Sequence, residues 1–168
     1  MESKLKLFGH PIHPMLVVFP VGLFVMSVLF DILYLLTRNP DLAIASYYMI
    51  VAGLIGGVLA AIFGAIDWLG LPYNSRAWNM GIGHGIGNFV VLGLFLLTWL
   101  RRRDNTDFIP ETATLLLSAL GLGLLLVTAW MGGELIYRLG VAVDRGANVN
   151  APNSLTERSP EPSNVEHT

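Results

Sequence analysis

The sequence contains no cysteine, and this absence excludes several classes of site at once. Without thiols the chain forms no disulfide, attaches no haem covalently and holds no iron–sulfur cluster or zinc ion through thiolates. Charge is also scarce: only 13% of the 168 residues are Asp, Glu, Lys or Arg, against about a quarter in an average soluble domain. Because the net charge is only −2, no nucleic-acid partner is expected.

The scarcity of charge leaves four long stretches that can cross a bilayer. Residues 42–66, 77–100 and 112–133 contain no Asp, Glu, Lys or Arg, and residues 7–37 contain only Asp31. Each stretch reaches the roughly 20 residues that a helix needs to cross the hydrocarbon core. Since backbone groups in lipid must bond within their own segment, these stretches predict helices. We therefore predict an all-α, integral membrane four-helix bundle in contact with the lipid bilayer.

Proline and turn residues set the predicted boundaries. An N-terminal His-Pro segment covers residues 1–13, and the transmembrane domain covers residues 14–143. The helices are predicted at about 14–37, 42–69, 78–100 and 111–138. Pro20 is expected to bend the first helix. Residues 144–168 are rich in Asn, Ser, Pro and Glu with few apolar residues, so they are predicted to be a disordered tail.

Small residues form a broad face on the second predicted helix. Gly53 and Gly57 lie four residues apart, and Gly56 and Gly64 belong to a second row beside them. Membrane helices pack closely through such faces, because small side chains let the backbones approach. The second helix is therefore expected to contact several other segments.

Two histidines precede prolines at the entry to the first helix. A residue before proline is disfavoured in the α region, so His10 and His13 are predicted to be extended or polyproline-like. Polyproline II repeats every three residues, which would place both imidazoles on one edge. The alternative is a rigid Pro-His turn at the membrane interface that only anchors the helix.

Antiparallel helices are expected to bring further ionisable residues to the same end. Asp67 ends the second helix, His84 lies roughly 9 Å into the third, and Glu134 lies near the end of the fourth. Ionisable groups at membrane depth usually pair or serve a function. With His10 and His13 they form a predicted ligand set for a transition metal, Fe, Zn or Mn. The alternative for Asp67 and Glu134 is capping and interfacial hydrogen bonding.

His84 is surrounded by glycines at alternate positions, 81, 83, 85 and 87. Glycine weakens a helix, so these positions indicate close approach by another backbone or by a flat cofactor such as haem. Two interpretations remain open: close packing with His84 hydrogen-bonded to Asp67 or Glu134, and ligation of haem b or a metal ion by His84. Supporting roles are predicted for Asn88, Trp68 and Tyr137.

Asp31 and the arginines at 101–103 are predicted to lie towards the other end of the bundle. Asp31 is expected to pair with Tyr34, Tyr47, Tyr48 or a helix end. The arginine triplet is expected to anchor its helix at the interface, where it can attract anionic lipid.

Four motifs resemble those of the bacterial domain-of-unknown-function 2231 family. They are FGHPIHPMLVVFPVG (8–22), GAIDW (64–68), HGIGN (84–88) and GGELIY (132–137), the last followed by Gly140 and Val141. The resemblance covers residues 8–143 and implies a multi-pass protein of the bacterial inner membrane. Some relatives are joined to Rieske-type iron–sulfur domains, which implies electron-transfer partners. This sequence has Leu139 where many relatives carry a histidine.

Two functions of different classes follow from these observations. The first is a redox or accessory membrane protein that binds haem b between His84 and His10 or His13, or a transition-metal ion through the same residues. The second is a non-enzymatic structural module without a cofactor. No nucleophile triad, phosphate loop or dinucleotide fingerprint is present, so an enzyme is not predicted. The sequence leaves open whether any cofactor is bound and whether the chain forms a homo-oligomer.

Overall fold

The computed structural model describes residues 1–155 and consists of a short hairpin followed by four long helical segments. The elements are β1 (Lys6–Leu7), β2 (His10–Pro11), α1 (Ile12–Leu16), α2 (Val18–Thr37), α3 (Pro40–Trp68), α4 (Arg76–Arg102) and α5 (Thr112–Gly133). A 3₁₀ turn (Thr106–Phe108) precedes α5, and a π-helical turn (Glu134–Arg138) continues it. Four segments are long and apolar enough to cross a membrane: Ile12–Thr37, Pro40–Trp68, Arg76–Arg102 and Thr112–Arg138. The predicted four-helix membrane bundle is confirmed.

The first membrane segment is interrupted at Val17, between α1 and α2. Pro20 explains the interruption, because it has no N–H to donate to the carbonyl of Leu16 four residues earlier. The effect of the proline therefore falls one turn before the proline itself, where the short α1 meets α2.

The bundle has one apolar core to which every long helix contributes. α2 packs on α3 and α4 packs on α5, while contacts of α3 with α4 and of α2 with α5 complete the bundle. The rings of Phe24 and Phe95 stack at its centre with their centroids 4.0 Å apart. The other buried members of the core are Ile50, Val91 and Leu125.

Glycines make room for the two stacked rings. A Cβ atom on Gly53 would lie 2.6 Å from Cε1 of Phe24, and one on Gly121 would lie 2.9 Å from Cε2 of Phe95. Both distances are too short for an unshifted side chain, so glycine is required for this packing. The small-residue face of α3 accepts further side chains in the same way: Phe19 at Gly56, Leu92 at Gly57 and His13 at Gly64.

A buried arginine holds together the end of the bundle opposite the hairpin. The side chain of Arg102 is 0% exposed, and its Nη1 donates to Oδ2 of Asp31 at 2.9 Å. The same guanidinium donates to the hydroxyl of Ser46 at 3.2 Å and to the carbonyls of Ala43 and Phe108 at 3.0 and 2.8 Å. One side chain thus connects α2, α3, α4 and the loop before α5.

This network corrects two expectations. Asp31 pairs with Arg102, not with a tyrosine or a helix end. Arg102 is buried, whereas Arg101 and Arg103 are exposed, so only the outer two arginines can act as interfacial anchors. Helical periodicity explains the choice: Arg102 lies seven residues after Phe95 and therefore on the same, inward face of α4.

The N-terminal segment contacts the start of the polar tail outside the membrane. Nζ of Lys6 lies 2.7 Å from Oε2 of Glu2 and 3.4 Å from Oδ2 of Asp144. The hydrogen bond from Lys6 is the main cause that lowers the pKa of Glu2, and the backbone N–H of Gly146 is the main cause that lowers the pKa of Asp144. Residues 144–155 form turns without helix or strand. Residues 156–168 lie outside the described part, and the disorder of the tail stays a prediction.

Replacing Arg102 with Met should lower the free energy of unfolding by about 3–5 kcal/mol, because the carboxylate of Asp31 would stay buried without its partner. The exposed Arg101 is the matched control, and Arg101→Met should change stability by no more than about 0.5 kcal/mol. Adding Asp31→Leu to Arg102→Met should recover part of the loss. Thermal unfolding in detergent micelles measures all three variants, and equal losses for the two single arginine variants would contradict the network.

Acidification should loosen the contact of Asp144 with Lys6. Both carboxyl pKa values are lowered in the folded protein, so their contribution to stability is present above the ordinary carboxyl pKa, about 4, and is lost as the pH falls through the folded-state values. Hydrogen exchange at the amide of Gly146 should therefore become faster, relative to the intrinsic rate, between about pH 5 and pH 3. Lys6→Ala should show part of this loss of protection already at neutral pH, and an unchanged protection factor in both experiments would refute the contact.

Candidate functional site

His13 lies inside the bundle because α1 carries it against α3. Its Nδ1 donates to the carbonyl of Ala60 at 2.8 Å. Since a carbonyl oxygen only accepts, Nδ1 must carry the ring hydrogen. Within residues 1–155 the other ring nitrogen, Nε2, has no hydrogen-bond partner. Gly64 provides the space, because a Cβ there would lie 2.8 Å from Cε1 of the ring.

His84 is held in the same way by α5. Its Nδ1 donates to the carbonyl of Thr128 at 2.9 Å, so this nitrogen also carries the hydrogen. Gly132 provides the space, because a Cβ there would lie 3.2 Å from Cε1 of the ring. The sequence-based alternative, a hydrogen bond from His84 to Asp67 or Glu134, is not observed.

Asn88 lies one turn after His84 and contacts it twice. Its Nδ2 lies 3.2 Å from Nε2 of His84 and donates to the His84 carbonyl at 2.8 Å. Its Oδ1 accepts from the hydroxyl of Thr128 at 3.1 Å. The supporting role predicted for Asn88 therefore has a geometric basis.

The two imidazoles form a pair within the membrane segments. Their centroids lie 6.4 Å apart and their planes are nearly perpendicular, at 89°. His13 belongs to the segment Ile12–Thr37 and His84 to the segment Arg76–Arg102. Both rings donate Nδ1–H to a backbone carbonyl, which is how metal-binding histidines are commonly oriented. We call His13 and His84 the histidine pair.

His10 is not part of this pair. It is extended, as predicted, in β2, and its Nε2 lies 3.4 Å from the hydroxyl of Ser154. His13, in contrast, is helical within α1, so the predicted shared edge of the two imidazoles is wrong. Pro14 explains the difference, because proline is tolerated in the first turn of a helix and α1 begins at Ile12. The turn before β2 needs positive φ at Phe8 and Gly9, 51° and 82°.

Asp67 is occupied by the N-terminal segment. Its Oδ1 accepts from the hydroxyl of Ser3 at 2.6 Å and from the backbone N–H of Lys4 at 3.1 Å. The carboxylate thereby fixes the start of the chain against the end of α3.

Glu134 is occupied by arginines. Its Oε2 lies 3.3 Å from Nη2 of Arg76 and its Oε1 lies 3.9 Å from Nε of Arg138. The predicted set of His10, His13, His84, Asp67 and Glu134 is therefore not assembled. In residues 1–155 no group of three or more His, Asp or Glu side chains is placed to hold a metal ion.

Trp68 and Tyr137 have other roles than contact with the histidine pair. Trp68 stacks on Trp78 with centroids 4.2 Å apart and donates its Nε1–H to the Trp78 carbonyl at 3.2 Å. It therefore stabilises the connection between α3 and α4. Tyr137 is 86% exposed.

Side chains fill most of the space beside the glycines around His84. Gly81 faces Trp68, Gly83 faces Met131 and Gly87 faces Thr128, while Gly85 has nothing within 4 Å. The predicted close approach is real, and in this structure α3 and α5 side chains provide it.

Sequence reasoning missed the two groups that orient the histidine pair. These are the carbonyls of Ala60 and Thr128, and a backbone carbonyl leaves no signal in a sequence. Gly64 and Gly132 were detectable, since each is a small residue in a membrane helix that allows close approach. What could not be read was which side chain enters the space.

The model of a family described as predicted membrane protein, DUF2231, matches residues 9–145. The match contains the hairpin strand β2, all four membrane segments and both members of the histidine pair. Neither a curated protein nor a solved structure matches the chain.

Gly64→Ala should lower the free energy of unfolding by about 1–3 kcal/mol, because the new Cβ overlaps the ring of His13. Gly123 is the matched control, since a Cβ there meets nothing within 4 Å. Gly123→Ala should be neutral or should stabilise by up to about 1 kcal/mol through helix propensity. Thermal unfolding in detergent compares the two variants, and a Gly64→Ala protein as stable as Gly123→Ala would show that His13 does not occupy this space.

Proposed function

This chain belongs to the DUF2231 family of predicted membrane proteins, and from the geometry of the histidine pair we propose that it is a haem b-binding redox protein. His13 and His84 are proposed as the two axial ligands of the iron. The observation that carries the proposal is the pair itself, two rings 6.4 Å apart with both Nδ1–H groups anchored on backbone carbonyls.

The donor set favours haem over a bare ion. The macrocycle supplies four nitrogens to the iron, so the protein contributes only axial ligands such as histidine. A protein-bound zinc ion takes three or four side chains, and within residues 1–155 no third His, Asp or Glu joins the pair. Metal–nitrogen bonds of about 2 Å to each of two imidazoles are also compatible with centroids 6.4 Å apart.

The residues of the site orient the ligands and supply the environment. Hydrogen bonding of Nδ1 to a carbonyl fixes each ring and makes Nε2 the ligating nitrogen. A haem iron bound by two imidazoles would supply one-electron chemistry. The location of the pair in the half of the bundle next to the hairpin favours electron-transfer partners at that face, in the bacterial inner membrane.

The optical spectrum of the gently purified protein tests this function. We expect a Soret band that shifts on reduction with dithionite and is lost in His13→Ala and in His84→Ala. His10 is the control histidine, because it is exposed and contacts Ser154, so His10→Ala should keep the band. Metal analysis accompanies the spectra. A spectrum of tryptophan and tyrosine alone, without metal, would refute the proposal, whereas stoichiometric metal without a Soret band would assign the pair to a non-haem ion.

A structural module without a cofactor is the second candidate, and one observation favours it. Hydrogen bonds of the histidine pair join α1 to α3 and α4 to α5, and Nε2 of His84 already has a partner in Asn88. In that case His84→Ala would lower stability and would change no optical or metal signal.

A further inference from the structure

Asn88 occupies the ring nitrogen of His84 that a metal would need. Its Nδ2 faces Nε2 at 3.2 Å, while Nε2 of His13 is without a partner in the described residues. The two members of the histidine pair therefore differ: one lone pair is open and the other is engaged.

The orientation of the Asn88 amide follows from its neighbours. Nδ2 lies 2.8 Å from the carbonyl of His84, and two oxygen acceptors cannot bond to each other, so the nitrogen must be on this side. The hydroxyl of Thr128 lies 3.1 Å from Oδ1 and donates to it. With Nδ1 of His84 committed to the Thr128 carbonyl, Nε2 has a lone pair and accepts from Asn88. All the groups agree on one arrangement.

We propose that Asn88 competes with the metal for Nε2 of His84, with Thr128 holding the amide in its competing position. His13 then binds the metal first, and His84 binds only after the amide of Asn88 has moved. This inference extends the function proposed above and rests on it for the metal, whereas the hydrogen bond to Nε2 can be tested on its own.

The first experiment measures the affinity of the metal-free, full-length protein for Co²⁺, whose visible absorption reports ligation. Removing one competing hydrogen bond should strengthen binding by roughly fivefold to tenfold, so Asn88→Leu should bind Co²⁺ more tightly than the original protein. Thr128→Val keeps the shape and loses the hydroxyl, and it should shift the affinity in the same direction. Thr128→Ser retains the hydroxyl and should leave the affinity unchanged.

Asn79 provides a matched control, since it is exposed on the same helix, and Asn79→Leu should not alter Co²⁺ affinity. Weaker binding in Asn88→Leu would overturn the proposal, because it would make Asn88 a support for the ligand and not a competitor. Equal affinities of Thr128→Val and Thr128→Ser would remove Thr128 from the mechanism.

The second experiment records the ¹⁵N chemical shifts of His84 in the metal-free protein. A hydrogen-bonded, unprotonated Nε2 should give a resonance that moves towards the position of a free lone pair in Asn88→Leu, while Nδ1 keeps its proton through the Thr128 carbonyl. An unchanged Nε2 resonance would refute the competing hydrogen bond. If no variant binds Co²⁺ but the resonance moves, the metal function fails and the hydrogen bond stands, so the two failures are distinguishable.

Discussion

The buried guanidinium of Arg102 requires an acceptor for its N–H groups, and this requirement fixes how one end of the bundle is built. In lipid no water can compensate for an unsatisfied polar group. Its acceptors are Asp31, Ser46 and the carbonyls of Ala43 and Phe108, which belong to three different parts of the chain. A shift of any one segment would leave a buried charge without its partner, so the network sets the register of α2, α3 and α4 together.

The opposite half of the bundle obeys the same rule with neutral groups. The histidine pair uses backbone carbonyls of α3 and α5 as acceptors, and glycines at 64 and 132 bring those carbonyls within reach of the rings. A neutral imidazole with one satisfied N–H is much less costly inside the membrane than an ionised side chain. Between the two polar regions lies the Phe24–Phe95 stack with its apolar neighbours, so the polar groups are confined to the two ends.

Charge patterning and length were sufficient to predict the number of membrane helices, because the hydrophobic thickness of a bilayer sets a length that few other constraints produce. The small-residue face of α3 also predicted close packing correctly. The partner of Asp31 was not predictable from a local pattern, since Arg102 lies 71 residues away. The inward face of α4 nevertheless pointed to Arg102 and not to Arg101 or Arg103, because only Arg102 continues the row of Phe95.

The site was predicted in part for a related reason. Antiparallel connectivity correctly places His13 and His84 in the same half of the bundle, but connectivity does not determine which groups pair. Asp67 and Glu134 are carboxylates and therefore bind the strongest donors available: a hydroxyl, a backbone N–H and arginines at the membrane face. These contacts hold the carboxylates away from the pair. Two neutral histidines are left facing each other in the apolar interior, an arrangement that suits a cofactor bringing its own equatorial ligands better than an ion that needs carboxylates.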